Sequence, residues 1–244
     1  MLMVIKQLFL LGKKAVKSLF SLCQNVGKIL FMKKATKKEI LQIHQKFIER
    51  YSDATTELEY KNAYELVVAV ALSAQCTDKR VNIITPPLFL KYPNPHAMAE
   101  AKIEDIKELI NSCSFFNNKA KNLLAMAKRV VEVYGGEIPM NEKDLQTLAG
   151  VGQKTANVVM IEYTGANLMA VDTHVFRVSH RLGLSDDKTA IKTEKTLVKK
   201  FKNNLHALHQ GMVLFGRYIC TAKNPKCEEC FLTDFCKTKE SFKV

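Results

Sequence analysis

Apolar residues recur at three- and four-residue intervals through most of the chain, the spacing that lines one face of a helix. From residue 36 onward this period predicts helices over 37–51, 61–75, 102–113, 117–134, 153–163, 174–182, 188–201 and 205–219. No stretch alternates as a strand with one buried face does. The breaks fall at Pro86-Pro87, at Pro93 to Pro95, at Gly135-Gly136 with Pro139, and at Gly150 to Gly152, residues that stop helices or build turns. The pattern predicts an all-α fold of short helices without internal repeats.

The first 31 residues read differently. They carry five lysines and no acid, with apolar residues at 4, 5, 8, 9, 15, 16, 19 and 20, which predicts a basic amphipathic helix. Its uncharged runs fall short of the roughly 18 residues a membrane span needs. No small-residue cleavage site follows an apolar core, so the segment is no secretory signal either. An organellar presequence favours arginine and serine, whereas Met32 opens a stretch that reads as an ordinary cytosolic N-terminus. Residues 1–32 are therefore expected to be an extension produced by an over-extended start site.

With 244 residues and 47% apolar content, the chain can bury one large core or two small ones. Lysine and arginine outnumber the acids 37 to 24, and the net charge of +13 is spread along the chain. That balance permits a polyanionic partner without requiring one. Seven cysteines are present, four of them crowded near the C-terminus, which suits a reducing compartment better than a disulfide framework. Cys23, Cys76 and Cys113 stand alone and read as small apolar residues or unpaired thiols. Cys220, Cys227, Cys230 and Cys236 form C-x6-C-x2-C-x5-C, and four thiolates so close point to metal. By residue type both structural zinc and an iron-sulfur cluster remain open, although paired C-x2-C knuckles, the usual zinc arrangement, are missing.

In "LQTLAGVGQKTANVV" a short helix is expected to end at Leu148 and another to begin near Gln153, with Gly150, Val151 and Gly152 making a tight turn between them. Backbone amides at such a helix start can grip a phosphate without reading sequence. Lys154 falls in the first turn of the second helix. The positive end of the helix dipole and partial burial are both expected to favour its neutral, nucleophilic amine; the alternative is a solvated surface charge. Asp172 precedes a helical pattern, so it reads as an N-cap. A carboxylate held that way can also accept a proton or stabilise positive charge on a sugar.

Three stretches, "ALSAQCTD", "LAGVGQKTANVV" and "AVDTHVFRVSHRLGL", are similar to those of the endonuclease III family, and the resemblance extends over roughly residues 33–240. It implies that Lys154 is a Schiff-base nucleophile and Asp172 a catalytic aspartate, and that Gln75 fills the gap left by an extruded nucleotide. Asp78 matches the family as well. Ala149 departs from it, standing where proline is usual. The cysteine spacing matches the family's cluster loop, which implies a structural 4Fe-4S cluster on Cys220, Cys227, Cys230 and Cys236. Lys223 and Lys226 would then be presented to DNA phosphates.

The resemblance further implies two α-helical domains flanking a DNA-binding cleft. A helix-hairpin-helix six-helix domain is expected over 56–166, and an iron-sulfur domain from 33–55 plus 167–244. The implied activity is that of a bifunctional DNA glycosylase and abasic-site lyase, removing oxidised pyrimidines from double-stranded DNA and cleaving by β-elimination. An adenine-specific relative carries glutamate where Val70 stands and lacks the lysine at 154; a thymine-mismatch glycosylase is likewise disfavoured by Lys154. A non-catalytic helix-hairpin-helix DNA-binding module with structural zinc is the rival of another class. A cytoplasmic, nucleoid-associated bacterial monomer without membrane attachment is expected.

Overall fold

The computed structural model describes residues 33–239, so the amphipathic helix expected in the first 32 residues lies outside the described residues. Within them every regular element is helical. The order is α1 (Lys37–Tyr51), α2 (Ala63–Ser73), α3 (Asp78–Lys91), α4 (Pro95–Ala99), α5 (Ile103–Ile110), α6 (Phe116–Tyr134), α7 (Glu142–Leu145), α8 (Gln153–Thr164), α9 (Thr173–Arg181), α10 (Ala190–Phe201) and α11 (Leu205–Tyr218). Two 3-10 turns follow, at Cys227–Glu229 and Thr233–Phe235. No described helix is long and apolar enough to cross a membrane.

Short polar side chains open these helices by accepting otherwise unmet amides. Thr36 and Glu39 form a reciprocal capping box on α1, each side chain accepting the other's backbone amide. Asn62, Thr77, Asn94, Asn141, Asp172 and Thr189 cap α2, α3, α4, α7, α9 and α10 through their side chains.

The break expected at Pro86-Pro87 is absent, because α3 runs through both prolines. Each ring removes an amide, yet both prolines lie on the exposed face. The opposite face buries Val81, Ile84, Thr85 and Leu88, and the Thr85 hydroxyl donates to the Val81 carbonyl at 3.0 Å. Apolar burial outweighs two lost bonds on the solvent side. Pro95 likewise starts a helix where a break was expected, since a first-turn proline gives up an amide that has no partner anyway. The helix expected to reach Leu148 stops at Leu145 and continues as turns.

The helices enclose two hydrophobic cores. The first runs from Leu58 to Val159 in sequence, with α2 at its centre, where Leu66, Val67, Val68, Ala69 and Leu72 have no exposure. The second joins Ile43 and Phe47 of α1 to residues from Met169 to Leu232. Phe47, Phe215 and Phe231 meet edge to face there, with centroids 5.2 to 5.7 Å apart. The early segment is tied to this later half by Ala35 N donating to Gly183 O at 2.9 Å and by the Lys237–Glu39 ion pair at 2.6 Å. The chain thus forms two helical domains, entering the first after α1 and leaving it after α8. Of the isolated cysteines, Cys113 is buried and Cys76 half-buried; Cys23 lies outside the described residues.

Candidate active site

A cleft of about 1330 Å³ opens between the two cores. That exceeds the roughly 300–1,000 Å³ typical of small-molecule pockets. The first core contributes Gln75, Asp78 and Lys154 to its walls; the second contributes Asp172, His209 and Arg217.

The turn leading into α8 needs glycine at one position only. Gly150 has φ +82°, and a Cβ there would stand 3.1 Å from the Asn122 side chain. Gly152, expected to share that duty, has an ordinary φ of −90° and open space where a Cβ would be. Val151 is buried in the first core, and its amide is spent on the Leu148 carbonyl at 3.1 Å. Any contact from this loop to a ligand therefore comes from backbone around Gly152 and the start of α8, which no side chain caps.

Lys154 sits in the first turn of α8 and is exposed, so the partial burial expected for it is not supplied by the protein alone. Its helix is stitched to the opposite side of the cleft. Gln153 Nε2 donates to Glu194 Oε1 at 2.8 Å, and Asn157 Nδ2 to the Met169 carbonyl at 3.1 Å. Burial raises the Glu194 carboxyl above its ordinary value, although the amide donors of Gln153 and Asn157 oppose the shift. Asp172 caps α9 as expected, its Oδ1 accepting Val175 N at 2.8 Å, which leaves the second oxygen for the cleft.

Gln75 is exposed in the turn after α2 with φ +55°, a left-handed conformation unfavourable for a residue with a Cβ. Lys119 of α6 holds that turn, its ammonium donating to the Leu72 and Ala74 carbonyls at 2.7 and 2.6 Å. On the far wall Arg217 pairs with Asp78 at 2.8 Å and also with Glu57, which accepts from the Tyr218 hydroxyl too. Sequence reasoning missed Lys119, Arg217 and His209. The first two lacked any local signal, and a histidine on an apolar helix face reads as core.

The four C-terminal cysteines line one small cavity. Four thiols around one cavity match the cysteine-only ligation of an iron-sulfur cluster. Burial pushes the Cys230 thiol up to about 11, so a cationic centre is needed for it to ionise there. Arg181 donates to Cys220 Sγ at 3.3 Å and to the Thr221 carbonyl at 2.7 Å, and Arg177 to the Cys220 carbonyl at 3.0 Å. The helix that Asp172 caps thus braces the cysteine loop through its middle and its far end. Lys223 and Lys226 are exposed on that loop. Lys226 also stands 3.9 Å from Glu229.

Comparison with known proteins matches residues 68–203 to the HhH-GPD superfamily of base excision DNA repair proteins, and residues 220–236 to the iron-sulfur binding domain of endonuclease III. Endonuclease III of Bacillus subtilis is 44% identical over 82% of this chain and 92% of its own length. That of Escherichia coli K12 is 37% identical over 87% of this chain and its full length. A solved structure of a trapped endonuclease III–DNA covalent intermediate superposes with a TM-score of 0.81 at 40% identity, covering 85% of this chain and 98% of that one. A thermostable thymine-DNA glycosylase superposes with a TM-score of 0.73 at 25% identity, covering 85% and 100%. The cysteine loop accordingly belongs to a 4Fe-4S cluster. With hairpin, cleft and cysteine loop all inside these matches, the chain belongs to the endonuclease III family.

Proposed function

We propose that this protein removes oxidised pyrimidines from double-stranded DNA and cleaves the resulting abasic site, with Lys154 as nucleophile. The observation that carries the reading is the placement of Lys154 and Asp172, each from a different core, on one cleft. The Lys154 amine attacks C1′ of the extruded nucleotide, the C1′–N bond breaks, and the base departs with a proton. The amine lone pair then opens the sugar ring, the C1′–O4′ bond breaking and O4′ taking a proton from solvent, which leaves a protonated Schiff base; this makes the 2′ proton acidic, its removal expels the 3′ phosphate by β-elimination, and water then releases the lysine. Asp172 stabilises the cationic sugar through the oxygen that the helix cap leaves over. Gln75 occupies the gap in the duplex, which suits its exposed position on a strained turn. Of the hairpin residues Gly150, Val151 and Gly152, the last, with the uncapped amides at the start of α8, holds a phosphate, the Val151 amide being committed to Leu148.

Cys220, Cys227, Cys230 and Cys236 are the proposed ligands of the cluster. When bound, it supplies a rigid cross-link that presents Lys223 and Lys226 to the DNA backbone. The two cores support the expected domain bounds of 56–166 and of 33–55 plus 167–244, the latter described as far as residue 239. Nothing among the described residues of the site requires a second copy, and we take the working form to be a monomer on the bacterial nucleoid.

The test is borohydride trapping on duplexes containing thymine glycol or an abasic site. Wild type is expected to trap on both and Lys154→Ala on neither. Trapping by Lys154→Ala would remove Lys154 from its role, and failure of wild type on thymine glycol alone would remove the substrate assignment.

A further inference from the structure

His209 takes no part in the chemistry of Lys154 and Asp172, yet it stands on the same cleft. It projects from α11, is 3% exposed, and shares the cavity wall with Lys154 and Asp172. Its Nδ1 is buried without a hydrogen-bond partner. A backbone interaction with Ala170, two residues before Asp172, also acts on the ring; because Nδ1 is the unpartnered nitrogen, we assign the ring proton to Nε2 and a lone pair to Nδ1. Burial pushes the imidazole down to about 4; the nearby Asp172 charge opposes this and the Lys154 charge adds to it. His209 is therefore neutral at physiological pH. An unmet buried acceptor is costly, and a fold that keeps one calls for a donor that arrives later.

We propose that His209 Nδ1 accepts a hydrogen bond from the Lys154 amine once DNA closes the cleft, aiming the amine lone pair at C1′. The inference rests on Lys154 being the nucleophile. In the free protein Lys154 is exposed and water can serve as its partner. DNA removes that water, and the remaining cleft acceptors include Asp172, with one oxygen committed to Val175 N, and His209. A carboxylate stabilises the protonated ammonium, which cannot attack. A neutral imidazole holds the neutral amine without the pull of a full charge. No proton leaves His209 at any step, so it is a positioning residue.

The test uses the cluster-loaded protein in single-turnover cleavage of a preformed abasic duplex, with His209→Asn, His209→Gln and His209→Leu. Asparagine places an amide oxygen near the Nδ1 position. Glutamine reaches the Nε2 position and offers nothing at Nδ1. Leucine offers neither. Glutamine and leucine are expected to slow cleavage roughly 10- to 100-fold, the scale of a misaimed reactant, with unchanged affinity for an uncleavable abasic analogue. Asparagine is expected to restore most of the rate. A glutamine variant as fast as wild type, or an asparagine variant as slow as the leucine one while retaining absorbance near 400 nm, overturns the proposal. Should Lys154→Ala still trap, the nucleophile assignment fails instead, and the two failures are separately visible.

Discussion

Arg217 Nη1 stands 2.8 Å from Asp78 Oδ2, joining α11 of the second core to the first turn of α3 beside the first. Glu57 holds the same guanidinium, so one cation serves two carboxylates. Because α3 begins three residues after Gln75, the clasp sets the Gln75 turn relative to the helix that carries His209. Arg217→Met leaves the two carboxylates facing each other, and the pair is only partly shielded from water. The urea midpoint is expected to fall by the equivalent of about 1–3 kcal/mol, and the single-turnover rate with it. An unchanged midpoint would show that the clasp is ornamental.

The two hairpin glycines should separate under substitution. Gly150→Ala forces a Cβ into left-handed backbone against Asn122, at a cost of about 1–2 kcal/mol. Gly152→Ala meets open space and should leave the thermal midpoint unchanged. If the start of α8 grips a phosphate, that same alanine weakens binding to abasic DNA equally across sequences, measurable by fluorescence anisotropy.

Lys119→Met removes the cation from the Leu72 and Ala74 carbonyls and frees the turn that presents Gln75. Processing of a thymine glycol duplex should suffer more than cleavage of a preformed abasic site, because extrusion of a paired base depends more on the wedge. Equal losses on both substrates would argue against a role through Gln75.

On the cysteine loop, Lys223→Ala should lower the slope of log affinity against log salt by up to about 0.9, one phosphate contact's worth. Lys226→Ala should lower it less, since Glu229 competes for that ammonium in the free protein. Slopes identical to wild type would place both lysines away from the phosphates.

The pH dependence of stability follows from His209. Its native value of about 4 lies below the ordinary 6.5, so between these limits the unfolded chain binds a proton that the native state refuses. Stability is complete above about 6.5 and is lost as pH falls toward 4. The urea midpoint of wild type should drop over that window, and His209→Asn should show a shallower drop. Parallel curves would mean that the histidine is not held neutral.

The amino-acid sequence by itself determined the elements and the chemistry that depends on neighbours along the chain. Helical period placed α1 to the residue, because a turn of helix is decided within about four residues. The Asp172 cap was legible for the same reason. Only the tertiary structure decided where those forces were overruled or joined. Two prolines stay inside α3 because one face of that helix is buried, a condition set by α2 and α5. Lys154 remains exposed despite its helix end, because it stands on the wall of the open cleft between the two cores. Arg217 and Asp78, or His209 and Lys154, lie far apart in sequence, and no local interaction links them. Packing two separate cores side by side brings them together, so their relation exists in the cleft and nowhere along the chain.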